Sequence, residues 1–279
     1  VLIGGRRSIK EISMSTFYNS ERLKYNQMNY NNDVELDNFC SQCLLVINAV
    51  GPSFKINDKI ALHALRNNCH YIDIGGYGIL RDLLKPYEKS IEAQKLCFII
   101  GVGWMPGISG VFSKTIIETH LNSPENTNFN IYYGAVDNWS YSSTYDLAAS
   151  SMGKTRSYVY SHGKEIQVSP FRYTHHKFFP FIGHKKICMP SFDEQLTQLA
   201  TSLKQIRKIS TFIMLNDYIS MGKFMFIKIF YKHNLNKATL MLQDDYQRLV
   251  KKENKWGSVI CQVSKIEPER KIDTFYYLY

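Results

Sequence analysis

The sequence predicts an α/β protein, with a Rossmann-like parallel sheet domain followed by a mixed α+β domain. Three observations carry this. Short apolar runs alternate with helix-length amphipathic segments from Val1 to about His120. Four of these runs end in glycine-containing turns. Beyond residue 125 the strands lengthen, become aromatic and bring hairpin signals.

Val1-Leu-Ile-Gly-Gly5 reads as a short strand running into glycines. Ser8 to Arg22 has mixed helical character, and Arg22 to Tyr30 reads as a strand with Leu23, Tyr25, Met28 and Tyr30 in alternation. Asp33 is placed to cap a helix from Val34 to Cys43, with Leu36 and Phe39 inward. Leu44 to Val50 is a near-continuous apolar run, the pattern of a strand covered on both faces, and Gly51-Pro52 stops it. A helix is expected over Asp58 to Asn68, a strand over His70 to Ile74 ending at Gly75-Gly76, and a helix over Ile79 to Lys95. Leu96 to Gly101 is another strand, and Pro106-Gly107 opens a helix to about His120. Crossover helices of this kind place Val1–Gly5, Leu44–Val50, His70–Ile74 and Leu96–Gly101 as parallel neighbours in one layer.

In the second half, Asn128 to Val136 is a long strand and Ser143 to Met152 a helix. Ser157–Tyr160 and Glu165–Val168 flank His162-Gly163 as a hairpin. A capping box at Ser191-Phe-Asp-Glu194 opens a helix to about Leu203. A strand near Ile209–Met214, helices over 217–232 and 236–252, and paired strands at Trp256–Ile266 and Ile272–Tyr279 complete the chain. The expected boundary lies in Asn122-Ser-Pro-Glu-Asn-Thr127, giving a nucleotide-binding domain over 1–125 and a substrate or dimerisation domain over 126–279.

A chain of 279 residues with 44% hydrophobic and 21% charged residues belongs with folded proteins and not with disordered ones. No uncharged apolar stretch reaches the length of a membrane span, and the apolar segment Ile209–Tyr231 carries Asp217, Lys223 and Lys228. The net charge is +1 over residues 1–125 and +9 over 126–279. No basic run exceeds two residues and no zinc-finger or basic-helix pattern is present, so the charge points away from nucleic acid; it reads first as a solvated basic surface, with an anionic substrate or cofactor as the alternative. Six cysteines do not make a disulfide scaffold at this length. Cys40-Ser-Gln-Cys43 has metal half-site spacing but no second ligand pair, so no metal is expected. Reduced thiols and a cytoplasmic address fit this usage.

Open parallel sheets bind ligands beyond the carboxyl ends of their strands. Those ends are Gly4-Gly5-Arg6-Arg7, Asn48-Ala49-Val50-Gly51-Pro52, Asp73-Ile74-Gly75-Gly76 and Gly101-Val102-Gly103-Trp104-Met105-Pro106-Gly107. Arginine at a strand end facing an adenosine ribose accommodates a 2′-phosphate, so Arg6 and Arg7 favour NADP over NAD. Gly76-Tyr77-Gly78-Ile79-Leu80-Arg81 mimics a dinucleotide fingerprint, but Arg81 stands where the third glycine would let helix approach strand. His175, His176, Tyr141, Tyr145 and Arg172 are further polar candidates in the second half.

The strand end Val46-Ile-Asn-Ala-Val-Gly-Pro52, the strand end His70-Tyr-Ile-Asp-Ile-Gly75, and the turn Gly103-Trp-Met-Pro-Gly-Ile-Ser-Gly110 occur in this order. Together they resemble the saccharopine dehydrogenase-like oxidoreductases over about residues 1–120. The resemblance implies hydride transfer between a nicotinamide cofactor and an imine or related C=X bond of a small carboxylate-bearing substrate. It implies Gly5, Arg6, Arg7, Asn48, Ala49, Val50, Gly51, Pro52, Gly75, Gly103, Met105, Pro106 and Gly107 at the cofactor, and Asp73 and Tyr77 in catalysis. The family has a first strand and a glycine-rich phosphate loop before the strand that Val1–Gly5 resembles, and continues beyond the counterpart of Tyr279. The sequence therefore reads as a member cut at both ends. It also has Gly76 where the family often has glutamate. Two alternatives remain open here: a non-catalytic remnant or interaction module of the same fold, and a homodimer instead of a monomer.

Overall fold

The computed structural model describes residues 1–13, 21–75, 78–120, 124–152, 157–191, 194–231, 233–266 and 270–278. They form two units, Val1–Gly103 and Trp104–Tyr279. The first unit runs β1 (Leu2–Gly5), α1 (Ile9–Ser13), β2 (Lys24–Gln27), α2 (Asp33–Cys40), β3 (Leu45–Asn48), α3 (Ser53–Ile56), α4 (Lys59–Arg66), β4 (His70–Asp73), α5 (Gly78–Leu84), α6 (Glu88–Ala93) and β5 (Phe98–Ile100). Every strand pairing in it is parallel.

Strands β3, β4 and β5 are parallel neighbours, as the alternation of strand and helix requires. The first strand departs from the expected single layer. It pairs with β2 in a separate two-stranded sheet and has no ladder to β3. The two sheets still share a core: Met28, Leu36, Cys40, Val46, Ala61, Ala64 and Tyr71 lie in one buried cluster. Phe39 of α2 reaches Gly4, where a Cβ would come within 2.8 Å of its ring. The opposite face of β3–β5 is open. Ile47, Ile72 and Ile99 stand in one row across the three strands, and Ile47 is 60% exposed.

Local chemistry explains the helix ends. Asn32, not Asp33, caps α2, its side chain accepting from Val34 and Glu35 N–H groups. The helix expected over Ile79–Lys95 is broken by a 3₁₀ turn at Lys85–Tyr87, because Pro86 has no N–H for the helical ladder. The spacing of Cys40 and Cys43 serves packing: the Cys69 thiol donates to the carbonyls of both, at 3.2 and 3.0 Å. Burial pushes the Cys40 thiol up to about 12.

The second unit runs α7 (Ile108–Thr119), β6 (Thr127–Val136), α8 (Tyr141–Met152), β7 (Tyr158–Ser161), β8 (Lys164–Gln167), α9 (Pro170–Tyr173), β9 (His175–Phe179), β10 (His184–Pro190), α10 (Glu194–Ser202), β11 (Lys208–Leu215), α11 (Tyr218–Phe230), α12 (Leu235–Val250), β12 (Trp256–Ile266) and β13 (Lys271–Leu278). The division falls at Gly103, ahead of the expected boundary near residue 125. Helix α7 belongs to the second unit because Ile117 is buried in one cluster with Phe129, Ile131, Val259 and Val263 of the large sheet.

That sheet has the order β13-β12-β6-β11-β10-β9, with the β7–β8 hairpin joined through β7 to β11. The expected His162-Gly163 hairpin is present, with both residues at positive φ (49° and 71°), as a two-residue turn of the primed type needs. The β12–β13 pair is antiparallel as expected, but β6 and β11 pair in parallel. Strands β9 and β10 had no clear sequence signal. The sheet curls strongly. The four inter-strand spacings from β9 to β12 would span roughly 19 Å in a flat sheet, yet Lys177 of β9 donates to Gln262 of β12 at 2.7 Å, and Phe181 stacks on Tyr277 at 4.3 Å.

Asp217 ties the two long helices to the sheet's end. It caps α11 by accepting from the Ser220 N–H at 2.8 Å, and it receives Arg248 of α12 at 2.7 and 3.0 Å. The Arg248 hydrogen bonds hold its carboxyl well below the usual range, against burial. Its stabilising effect is therefore complete above the unfolded-state pKa and is lost as pH falls through the lower folded-state value. Asp217→Ala should cost about 1–2 kcal/mol at neutral pH. In urea unfolding followed by circular dichroism, the gap to wild type should narrow below about pH 4. A gap independent of pH would remove the ion pair from this account.

Candidate functional site

In the first unit the exits of β3 and β4 lie together, with Val102 after β5 bonded to them. In the β3–β4 register Asn48 stands beside Asp73. Asn48 Nδ2 donates to Asp73 Oδ2 at 2.7 Å and to the Tyr71 hydroxyl at 3.1 Å. The Tyr71 hydroxyl in turn donates to the same Oδ2 at 2.6 Å. All three side chains are buried, Asp73 to 3% exposure. Burial, and next the charge of Asp73, push the Tyr71 phenol far above its ordinary pKa. Tyr71 was absent from the sequence candidates. The signal was its position two residues before Asp73 on a strand, hence on the same face.

Backbone bonds knit the exits further. Val50 N–H donates to Asn48 Oδ1 at 3.0 Å, Ile74 N–H to Asn48 O at 3.3 Å, and Val102 N–H to Asp73 O at 2.9 Å. The Gly51–Pro52 peptide is cis. Gly75 packs closely on Ser53: a Cβ there would meet Ser53 Oγ at 2.0 Å and displace that hydroxyl. Beside this network lies a small cavity of about 10 Å³, lined by Asn48, Ser53, Asn57, Asp73, Ile79 and Leu80 among others. Asp73 Oδ1 is buried with no partner among the described residues. A cavity of that size holds about one water.

At the exit of β1, Arg6 and Arg7 are exposed and make no ion pair among the described residues. Their backbone is fixed from β2: the Tyr25 hydroxyl donates to Arg7 O at 2.7 Å and Gln27 Nε2 to Arg6 O at 3.3 Å. A Cβ on Gly5 would lie 3.0 Å from the Tyr25 hydroxyl.

The structure thus brings together Asn48, Ala49, Val50, Gly51, Pro52, Asp73 and Gly75 in the first unit. Gly103 ends that unit, whereas Met105, Pro106 and Gly107 belong to the second. There Gly107, at φ 127°, donates its N–H to Gln195 Oε1 at 2.8 Å. Gln195 was missed, since nothing in its sequence surroundings marks it. Tyr77 and Gly76 lie outside the described residues. Tyr141 donates to Asn236 and Tyr145 is buried. His176 bonds the Tyr218 hydroxyl, His175 the Tyr173 carbonyl, and Arg172 is exposed.

No family model matches the sequence, and no curated protein matches it. Solved structures do. The chain is similar to apo saccharopine dehydrogenase (L-Glu forming) from Saccharomyces cerevisiae, with a TM-score of 0.59 and 12% identity. The match covers 99% of this chain and 79% of that one. It is more distantly similar to biliverdin reductase in complex with biliverdin and NADP+ from Synechocystis (TM-score 0.35, 9% identity, 98% and 83% of the chains). GenD2 from gentamicin A biosynthesis, in complex with NAD, gives a TM-score of 0.38 at 6% identity over 91% and 59% of the chains. The first likeness establishes the fold; the other two are too remote to carry an argument.

Tyr71→Phe removes one of the two donors on a buried carboxyl oxygen, as well as an acceptor of Asn48. It should destabilise the first unit by about 1–3 kcal/mol in urea unfolding. A loss below about 0.5 kcal/mol would mean that the network is not a structural element of the site.

Proposed function

We propose that the chain is the body of an NADP-dependent oxidoreductase, with the first unit binding the nucleotide and the second the substrate. The reaction is hydride transfer to or from an imine or related C=X bond of a small carboxylate-bearing molecule. The observation that carries the reading is the set of strand exits in a saccharopine dehydrogenase fold. Two exposed arginines with no ion pair among the described residues follow β1, and the exits of β3 and β4 are knitted together around Asp73. Arg6 and Arg7 suit a 2′-phosphate because guanidinium offers paired donors and a full charge. Asn48 to Pro52 and Gly75 would line the rest of the cofactor in the first unit.

The cofactor supplies the hydride when bound. The chain's part is to orient it, exclude water and manage a proton. Asp73 is the group proposed for the proton: its Oδ2 is held by two donors, and its unpartnered Oδ1 is free to take a proton from a water in the adjoining cavity. Tyr77, which lies outside the described residues, is proposed as its partner in catalysis on the sequence resemblance alone. Further support comes from the sheet. Strands β1 and β3 each keep an unpaired edge, and the row Ile47, Ile72 and Ile99 is open. Parallel sheets are covered on both faces. A further strand, turn and helix carrying the phosphate loop would satisfy both. All six thiols are free, in keeping with a cytoplasmic address.

The test uses the longest natural form of the protein. Arg6→Ala with Arg7→Ala should weaken NADPH about tenfold or more while NADH changes little. Equal losses for both nucleotides would reject the 2′-phosphate assignment. No binding of either by the unsubstituted protein would favour a non-catalytic module of the same fold.

A further inference from the structure

The concave face of the curled sheet carries polar side chains where a closed apolar core would be expected. Its register places Lys208, Asn128, Ser264 and Asp273 in one row, and Ser210, Asn130, Gln262 and Phe275 in the next. Part of this set is satisfied internally. Lys177 donates to Gln262 Oε1, Gln262 Nε2 to Ser264 Oγ at 3.3 Å, and Ser264 Oγ to Asp273 Oδ1 at 2.5 Å.

The rest is not. Ser210 is 1% exposed, and its hydroxyl has no hydrogen-bond partner among the described residues. Asn128 Oδ1 is equally enclosed and equally unpartnered. Lys208 has no carboxylate partner among the described residues; its ammonium lies 5.1 Å from the Tyr173 ring. Burial holds the Lys177 and Lys208 ammonium groups below their ordinary pKa, so both are partly stripped of water. Enclosed polar atoms in a native fold are matched by protein, water or ligand, and each unmatched one is costly. Here the unmatched atoms lie in neighbouring rows on one face, with an unpaired ammonium beside them.

The geometry points to a binding site for a small carboxylate on this face, with Lys208 and Ser210 donating to its oxygens. The Asn128 amide, whose oxygen and nitrogen exchange places on a flip, contributes a third donor. Lys177, at the far side of the curl, adds positive potential. This rests on the reading that the second unit takes a carboxylate-bearing substrate, and it names the groups that would hold the carboxylate. It does not require the nucleotide.

Isothermal titration of the 279-residue chain with succinate, without nucleotide, tests it, with succinamide and inorganic phosphate as comparisons. Succinate should bind and succinamide should not. Lys208→Met should weaken succinate about tenfold or more, and Ser210→Ala several-fold, with the melting temperature of each variant unchanged or raised. Ser210→Ala keeps the test valid if the lysine variant misfolds. Three results would overturn the proposal: no succinate binding up to about 50 mM, phosphate binding as tightly as succinate, or binding indifferent to both substitutions. A chain that binds succinate but never NADPH would keep this site and reject the nucleotide reading. The converse would reject this site alone.

Discussion

Asp73 stands at the carboxyl end of β4 with almost none of its surface in water. A carboxyl group in that position must be met by donors or the fold loses heavily. Asn48 and Tyr71 meet it, Tyr71 from the same strand and Asn48 from β3, and Asn48 could not do so in another register. Asn48 must be the residue opposite Asp73 on β3, and Tyr71 must precede Asp73 by two on the same strand face. One buried carboxyl therefore fixes the β3–β4 alignment. It also brings Ala49 to Pro52 and Ile74 to Gly75 out of the sheet side by side. The glycine at 75 sits in the same crowding, with the Ser53 hydroxyl in the space a Cβ would take.

In the second unit the organising feature is curvature. With β9 brought over β12 and β13, the face bearing Tyr132, Phe179, Phe212 and Ile260 closes into a core at one end. Toward the other end the same strands carry lysine, serine and asparagine. The opposite face is largely apolar and packs against α7 and α10, with Thr211 among its few polar members. The sheet thus has one face that only packs and one that packs at one end and is polar at the other.

Much of this was legible in the sequence, and what was not has definite causes. Leu44 to Val50 announces a strand, but not that only one of its faces is covered: Leu45 and Ile47 are exposed, where the apolar run predicts burial on both sides. Asn48 and Asp73 were legible as strand-end residues. His162-Gly163 announces its hairpin because a two-residue turn needs positive φ. The break at Pro86 was readable from proline chemistry, yet the apolar periodicity on either side masks it. The separation of β1 from β3 and the parallel pairing of β6 with β11 are long-range facts with no local signature. Strands β9 and β10 hide because their lysines and histidines point into the curl or to its rim, so they break the apolar alternation that marks an ordinary strand. The α7 assignment failed for a related reason: an amphipathic helix does not declare which sheet it will cover.

The account's central claim is that the exits of β1, β3 and β4 form one nucleotide surface. Amide hydrogen exchange in the longest natural form of the protein, with and without NADPH, tests it most directly. The account predicts added protection concentrated at residues 4–7, 48–52 and 73–75 and little change in β9–β13. Protection confined to other segments, or absent at saturating nucleotide, would contradict it.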